Sequence, residues 1–213
     1  MLEWLLSPLS YTFMQRGLLA AVLVGILCAV IGCYVVLRSM AFLGDALAHA
    51  ILPGVAIAYL LGGNLLIGAL VAALVVALSI SFLSRKGDVK EDTAIGILFS
   101  AALALGVALI SSIRTYAVDL SHILFGNVLG VSSANLWLIA ILTVIVLSIL
   151  LALYRPLLVV SFDPVLATTL RLPTSLLRST LLVLLAITIV VSLQTVGISL
   201  VAAMLVTDRK SVV

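Results

Sequence analysis

The sequence predicts an all-α integral membrane protein, a bundle of about six transmembrane helices. Hydrophobic residues make up 65% of the 213 residues and charged residues only 9%, whereas soluble domains carry about 25% charged residues. The mean hydropathy is +1.45. The apolar residues also fall into runs of about 20, which is the length that an α-helix needs to cross a bilayer. A soluble globular domain is therefore excluded.

Six apolar runs are long enough to be spans. They cover residues 17–37, 40–61, 65–83, 93–113, 135–154 and 180–206. Pro53 and Gly54 lie inside the second run and are expected to kink its helix. Gly96 and Gly106 lie in the fourth run, where small residues are expected to allow close contact between helices.

The segments between and before these runs differ in character. Residues 1–15 carry three aromatic residues among leucines and predict an N-terminal segment at the membrane interface, followed by a transmembrane domain over 16–207. Residues 114–130 mix polar and apolar side chains, which is typical of a short interfacial or re-entrant element. Residues 155–178 form a polar loop, in which Asp163-Pro164 predicts an N-cap and the start of a short helix over 164–170.

Basic residues predict the orientation of the bundle. If the six runs alternate in direction, Arg16 and Arg114 fall on one side of the membrane. Seven basic residues fall on the other side: Arg38, Arg85, Lys86, Lys90, Arg155, Arg171 and Arg178. The positive-inside rule therefore places segments 85–92 and 155–178 in the cytoplasm and the N-terminus outside.

Asp45 and His49 are the one acid–imidazole pair within an apolar run. They are four residues apart, so a helix places them on the same face. A charge in hydrocarbon costs at least about 2.5–3.5 kcal/mol, so the pair is expected to face a protein interior or a water-filled path. Carboxylate and imidazole suit Mn, Fe and Zn, and a two-fold homodimer would bring four ligands together. A structural pair that bonds a neighbouring helix is the alternative.

Other candidate sites are weaker. His122 lies beside Asp119 at the outer membrane edge, where a structural role and contact with a passing metal ion both remain open. Cys28 and Cys33 are five apart, which is not a metal motif, and are expected to be packing residues. No phosphate-binding loop, zinc-protease motif or nucleophile elbow occurs. A self-contained ATPase and an intramembrane protease are thereby disfavoured, so a partner or an ion gradient must supply the energy.

Ordered motifs across the chain carry a family resemblance. They are YVVLRSM at 34–40, GDALAHAILPGVA at 44–56, EDTAIGI at 91–97, DLSHILFGNVLG at 119–130, FDPVLA at 162–167 and VGISLV at 196–201. Over residues 17–207 the chain resembles the permease subunits of ABC importers for manganese, zinc and iron. The resemblance implies a type II importer bundle of about eight transmembrane helices, present as two copies around a central path.

The resemblance also implies partners and residue roles. A cytoplasmic ATPase would bind each coupling helix, and an extracytoplasmic metal-binding protein would deliver the ion. Asp45 and His49 would hold the transported ion within the membrane. The coupling helix would span 163–172, with its ATPase contacts at Asp163, Pro164, Ala167, Arg171 and Leu172. Members of the family usually have glycine where Arg171 stands, so the contact with the ATPase is expected to differ in detail there.

The expected function is therefore that of a non-enzymatic permease subunit that moves a divalent transition metal across a bacterial plasma membrane. The subunit is expected to bind no permanent cofactor, and ATP is expected only in its partner. The alternative is an ion-gradient-driven secondary transporter with Asp45 as proton or cation carrier. A membrane scaffold without a path fits Asp45 and His49 poorly. Because the family usually continues with at least two more spans, residues 208–213 are expected to be a non-native tail on a longer chain.

Overall fold

The architecture is that of a helical bundle. A computed structural model describes residues 11–38, 40–85, 91–112 and 131–196. Within these ranges the secondary structure is entirely helical, which confirms the all-α prediction. The helices are α1 Thr12–Leu37, α2 Ala41–Ala50, α3 Leu52–Leu60, α4 Leu65–Arg85, α5 Glu91–Ser111, α6 Ser133–Ala152, α7 Tyr154–Phe162, α8 Pro164–Thr169 and α9 Thr174–Val196.

Six helical stretches in these ranges are long and apolar enough to cross a membrane, as the sequence predicts. They are Thr12–Leu37, Phe42–Leu60, Leu65–Ser84, Asp92–Ser111, Ser133–Ala152 and Thr174–Leu193. Helices α1 and α9 begin before the apolar runs that predicted them, because a helix can include polar residues that precede its apolar stretch. Residues 1–10 of the predicted interfacial segment and the whole predicted element at 114–130 lie outside the described residues.

The second span is divided into α2 and α3 at Ile51, two residues before Pro53, where the sequence predicts a kink. Pro53 has no N–H to donate to the carbonyl of His49, four residues back, and its ring crowds that carbonyl. The backbone amides of Gly54 and Val55 both point to the carbonyl oxygen of Ile51, at 3.0 and 3.2 Å. The break therefore lies directly beyond the Asp45–His49 turn.

Helices α3 and α4 cross where two glycines meet. A Cβ atom added to Gly54 would lie 2.5 Å from the Cβ of Ala72, and one added to Gly68 would lie 2.5 Å from the Cβ of Ala58. Real Cβ atoms do not approach that closely, so the crossing requires glycine at both positions. The small residues let two backbones touch, as in many membrane bundles.

The two glycines of α5 behave differently. A Cβ atom on Gly106 would meet the Cβ of Leu52 at 2.9 Å and the Cδ of Pro53 at 3.2 Å, so Gly106 accommodates the start of α3 as predicted. A Cβ atom on Gly96 would meet nothing within 4 Å. Within the described residues, the prediction of a close helix contact at Gly96 is therefore wrong.

Helix α9 is the best-covered span, with 67% of its apolar window buried, whereas α5 has 17% buried. It packs against α1, α2, α4, α6 and α7. The core side chains on α9 include Leu182, Leu185 and Ile189, and those on α1 include Leu27 and Ile31. This arrangement leaves α5 and α6 at the periphery and encloses most of α2.

The predicted polar loop at 155–178 contains more structure than the sequence indicated. Helix α7 occupies Tyr154–Phe162 and buries Leu157 and Val160, which are three residues apart and so share a face. Pro156 lies in its first turn, where a proline costs no hydrogen bond. Helix α8 follows at Pro164–Thr169, close to the predicted 164–170.

Candidate metal site and coupling helix

Helix α2 has one open face, and that face carries the acid–imidazole pair. Residues Leu43, Gly44, Ala46, Leu47, Ala48 and Ala50 of this helix are buried. Phe42, Asp45 and His49 are not, and their spacing of three and four residues places them in one stripe. The side chain of Asp45 is 44% exposed and that of His49 is 31% exposed. Both side chains are therefore available to a ligand in the space beside α2.

Asp45 and His49 point toward each other. The Nε2 atom of His49 lies 3.5 Å from the Oδ1 atom of Asp45. Nitrogen and oxygen ligands bind a divalent metal at about 2.0–2.2 Å, and two such ligands at a tetrahedral angle are about 3.4 Å apart. The separation in the helix therefore already suits two ligands on one divalent ion.

An aromatic residue of a neighbouring helix contacts the pair. The ring of Phe99 on α5 meets the imidazole of His49 edge-on, with ring centroids 6.1 Å apart. It also meets the ring of Phe42, with centroids 5.8 Å apart and an interplanar angle of 82°. Edge-to-face aromatic contacts contribute about 0.5–1.5 kcal/mol each. Sequence reasoning missed Phe99, because it lies in an apolar stretch of α5 where nothing in the sequence distinguishes this position.

Two ligands are all that the described part of this chain supplies. Among residues 11–38, 40–85, 91–112 and 131–196, no group of three or more His, Cys, Asp or Glu residues could hold a metal ion. Zinc takes about four ligands, and manganese sites are commonly octahedral. His122, the third residue predicted at this site, lies outside the described residues. A complete shell therefore needs ligands from another chain, from water or from the rest of this chain.

An N-terminal cap by Asp163 fixes the start of helix α8. The Oδ1 atom of Asp163 accepts hydrogen bonds from the backbone amides of Val165 and Leu166, both at 2.9 Å. Pro164 occupies the first helical position, where its missing N–H is not needed. A capping aspartate contributes about 1 kcal/mol. The Asp163-Pro164 pair thus does what the sequence predicted.

The end of α8 is less ordinary. Arg171 has φ of +55°, the left-handed region that favours glycine. Its amide donates to the carbonyl of Thr168, and the amide of Leu172 donates to the carbonyl of Ala167, both at 3.0 Å. This is a Schellman-type ending, in which glycine usually occupies the left-handed position. Arg171, where members of the resembled family usually have glycine, is therefore a strained residue.

The outer face of α8 is apolar and uncovered. Val165 is 75% exposed, and Leu166 and Leu170 are also exposed. Ala167 is fully buried and seats the helix against the bundle, where α8 packs on α7 and α9. A short, rigidly capped helix that presents three apolar side chains outward is suited to a groove on another protein.

Comparison with known proteins places this geometry in a family. Residues 10–209 match the model of the ABC 3 transport family. The chain belongs to this family. It is 52% identical over 199 residues to a manganese transport system membrane protein of Halalkalibacterium halodurans, and the match covers 93% of this chain and 68% of the relative. It is 43% identical over 206 residues to a probable iron transport system membrane protein of Haemophilus influenzae, covering 97% of this chain and 76% of that one.

A solved structure of the family shares the fold. PsaBC from Streptococcus pneumoniae in complex with Fab is 38% identical to this chain, with a TM-score of 0.81. The match covers 97% of this chain and 75% of that chain. The bundle of this ABC 3 family member therefore shares its overall fold with that chain.

Proposed function

We propose that Asp45 and His49 hold the transported cation of a metal-importing ABC permease. The chain is the membrane-spanning subunit of an ABC importer for a divalent transition metal, in a bacterial plasma membrane. It hydrolyses no ATP itself, because that reaction lies in a separate subunit. The observation that carries the residue assignment is the pair itself, a carboxylate and an imidazole 3.5 Å apart on the one open face of α2.

Manganese or iron is the cargo that the relatives' names favour. Relatives named for manganese transport are 52% and 48% identical to this chain, and one named for chelated iron transport, from Yersinia pestis, is 44% identical. Carboxylate and imidazole ligands serve Mn²⁺, Fe²⁺ and Zn²⁺ alike. The residue pair therefore supports a divalent transition metal as the cargo. Uptake assays with Mn²⁺, Fe²⁺ and Zn²⁺ would show which of the three metals is transported.

A second copy of the chain completes the site in this proposal. An exposed carboxylate in a membrane helix costs at least about 2.5–3.5 kcal/mol if lipid covers it. A two-fold dimer of the type II importer kind, with the open faces of α2 turned toward each other, would surround Asp45 with protein and water. It would also bring two carboxylates and two imidazoles to one axis, which is enough for a tetrahedral shell.

Helix α8 transmits the ATPase movement in this proposal. Its exposed Val165, Leu166 and Leu170 would enter a groove of the cytoplasmic ATPase subunit, while buried Ala167 couples the helix to α7 and α9. Since α9 packs on both α2 and α4, a shift of α8 reaches the metal site through one intervening helix. An extracytoplasmic binding protein would deliver the ion on the opposite side.

Direct binding of Mn²⁺ tests the residue assignment. We expect the purified, complete permease to bind Mn²⁺, measured by loss of the free-ion signal in electron paramagnetic resonance. Asp45→Asn and His49→Ala should each weaken binding at least about tenfold, since each removes one of the few protein ligands. Asp92→Asn, which removes an exposed carboxylate at the start of α5, is the matched control. Equal affinity in all four proteins would refute the assignment.

The energy source distinguishes an ABC importer from the alternative function, an ion-gradient-driven secondary transporter. No comparison supports that alternative. Transport in cells should stop when the partner ATPase gene is deleted. It should persist when a protonophore collapses the proton gradient while ATP is maintained. The reverse pattern would support Asp45 as a proton carrier.

A further inference from the structure

The proposed metal pair depends on the orientation of one ring. Asp45 and His49 suit a common ion only while the Nε2 atom of His49 faces Asp45, at 3.5 Å from its Oδ1 atom. Both side chains are partly exposed, that of His49 by 31%, so burial alone does not fix the imidazole. The χ2 torsion of histidine has broad minima, and a rotated ring would carry Nε2 away from the carboxylate. A further contact is therefore needed to hold the imidazole in place.

Within the described residues, a neighbouring ring and not a hydrogen bond orients the imidazole of His49. Metal-binding histidines are usually oriented by a hydrogen bond from the ring nitrogen that does not bind the metal. Among the residues that the structure describes, the Nδ1 atom of His49 has no such partner. The ring of Phe99 on α5 does reach the imidazole, edge-on, with centroids 6.1 Å apart and an interplanar angle of 62°. Phe99 therefore occupies the role that a hydrogen bond usually has.

Phe99 is itself held in place by its surroundings. It is partly buried against the core, and its ring meets that of Phe42 at 5.8 Å, nearly at a right angle. On α5 it shares a face with Ile95, four residues before it, and with Gly106, seven residues after it, and both of these are buried. Gly106 lies against the start of α3, close to Pro53. Helix α5 thus contacts the second span on both sides of its break, α2 through Phe99 and α3 through Gly106.

We propose that Phe99 is a positioning residue of the metal site, whose ring keeps the imidazole of His49 turned toward Asp45 and so raises the affinity for a divalent metal ion. A phenyl ring has no ligand atom, so Phe99 acts only through His49. Because α5 also lies against α3, a change in the angle between α2 and α3 moves this ring relative to the imidazole and weakens the site. The proposal rests on the proposed function of Asp45 and His49 as metal ligands.

Electron spin echo spectroscopy of Mn²⁺ added to the purified, complete permease tests this role, because an imidazole nitrogen bound to Mn²⁺ modulates the echo. Phe99→Leu keeps an apolar side chain but removes the ring. We expect it to weaken Mn²⁺ binding about three- to tenfold and to reduce the nitrogen modulation at saturating Mn²⁺. Phe99→Tyr keeps the ring and should retain the affinity within about twofold, with the modulation intact.

Two further variants accompany this test. Phe13→Leu is the matched control, since it removes a ring at the start of α1 that contacts Tyr11, with centroids 5.7 Å apart. It should leave the Mn²⁺ affinity unchanged. Phe42→Leu replaces an exposed side chain that supports Phe99 and should weaken Mn²⁺ binding about twofold or more. It keeps the proposal testable if Phe99→Leu fails to fold, which the thermal midpoint of each variant would show.

The outcomes separate this role from simple packing. Unchanged Mn²⁺ affinity in Phe99→Leu, or in Phe42→Leu if Phe99→Leu does not fold, would overturn the proposal. Weaker binding with an intact nitrogen modulation would do the same, as would an equal loss in Phe99→Tyr. If Asp45→Asn and His49→Ala bind Mn²⁺ as tightly as the unaltered permease, the metal assignment and the role of Phe99 fall together. If those two variants bind weakly and Phe99→Leu does not, only the role of Phe99 fails.

Discussion

The residues proposed to act in transport differ in how far the sequence could predict them. Asp45 and His49 stand out because they are polar in an apolar run, and their spacing fixes a common helix face. The distance of 3.5 Å between them and the ring contact of Phe99 with His49 could not be predicted. The distance depends on the side-chain rotamers of the two residues, and the ring contact depends on how α2 packs against α5. The sequence indicates neither.

Arg171 adopts a backbone conformation at the end of helix α8 that is unfavourable for a residue with a side chain. A non-glycine residue in the left-handed region costs about 1–2 kcal/mol, and Arg171 has φ of +55°. We expect Arg171→Gly to raise the free energy of unfolding by about 0.5–1 kcal/mol, because glycine's greater freedom when unfolded offsets part of the gain. The thermal midpoint in detergent should rise by about 2–4 °C.

Arg171→Ala is the control for this prediction. Alanine removes the long side chain but keeps the Cβ atom that causes the strain, so it should gain little stability. A rise as large with alanine as with glycine would show that the side chain of Arg171, and not its backbone, is the source of the strain.

At the scale of elements, apolar length predicted all six spans, and Asp163-Pro164 predicted the start of α8. Helix α7 was missed because Pro156 and the neighbouring polar residues resemble a loop, and only the packing of Leu157 and Val160 makes the segment helical. The role of Gly96 was also predicted wrongly. A glycine in a span permits a close crossing but does not show that a neighbouring helix is there.

The two glycine environments make a matched test of helix packing. Gly68→Ala should lower the free energy of unfolding by more than about 2 kcal/mol, because its Cβ would lie 2.5 Å from that of Ala58. Gly96→Ala places a Cβ where nothing lies within 4 Å, so the higher helix propensity of alanine should give about 0.5–1 kcal/mol of stabilisation. Thermal unfolding of the two variants in detergent measures the difference. Equal effects would contradict the described crossing of α3 and α4.

At the scale of the whole molecule, the described helices are covered unequally. Helix α9 is enclosed, α2 is enclosed except along the stripe of Phe42, Asp45 and His49, and α5 is largely uncovered. In a monomer, the partly exposed carboxylate of Asp45 would incur the desolvation cost of a charge near hydrocarbon. The proposed dimer removes that cost and gives the ion a path between two copies, bounded on the cytoplasmic side by two α8 helices.

The position of a bound metal ion tests this account most directly. Crystals of the complete permease with its ATPase, grown with Mn²⁺, would be measured at the manganese absorption edge. The anomalous peak should lie on the two-fold axis, about 2.0–2.3 Å from the Nε2 atom of His49 and from a carboxylate oxygen of Asp45 in each copy. A peak within the membrane that neither Asp45 nor His49 contacts would contradict the account.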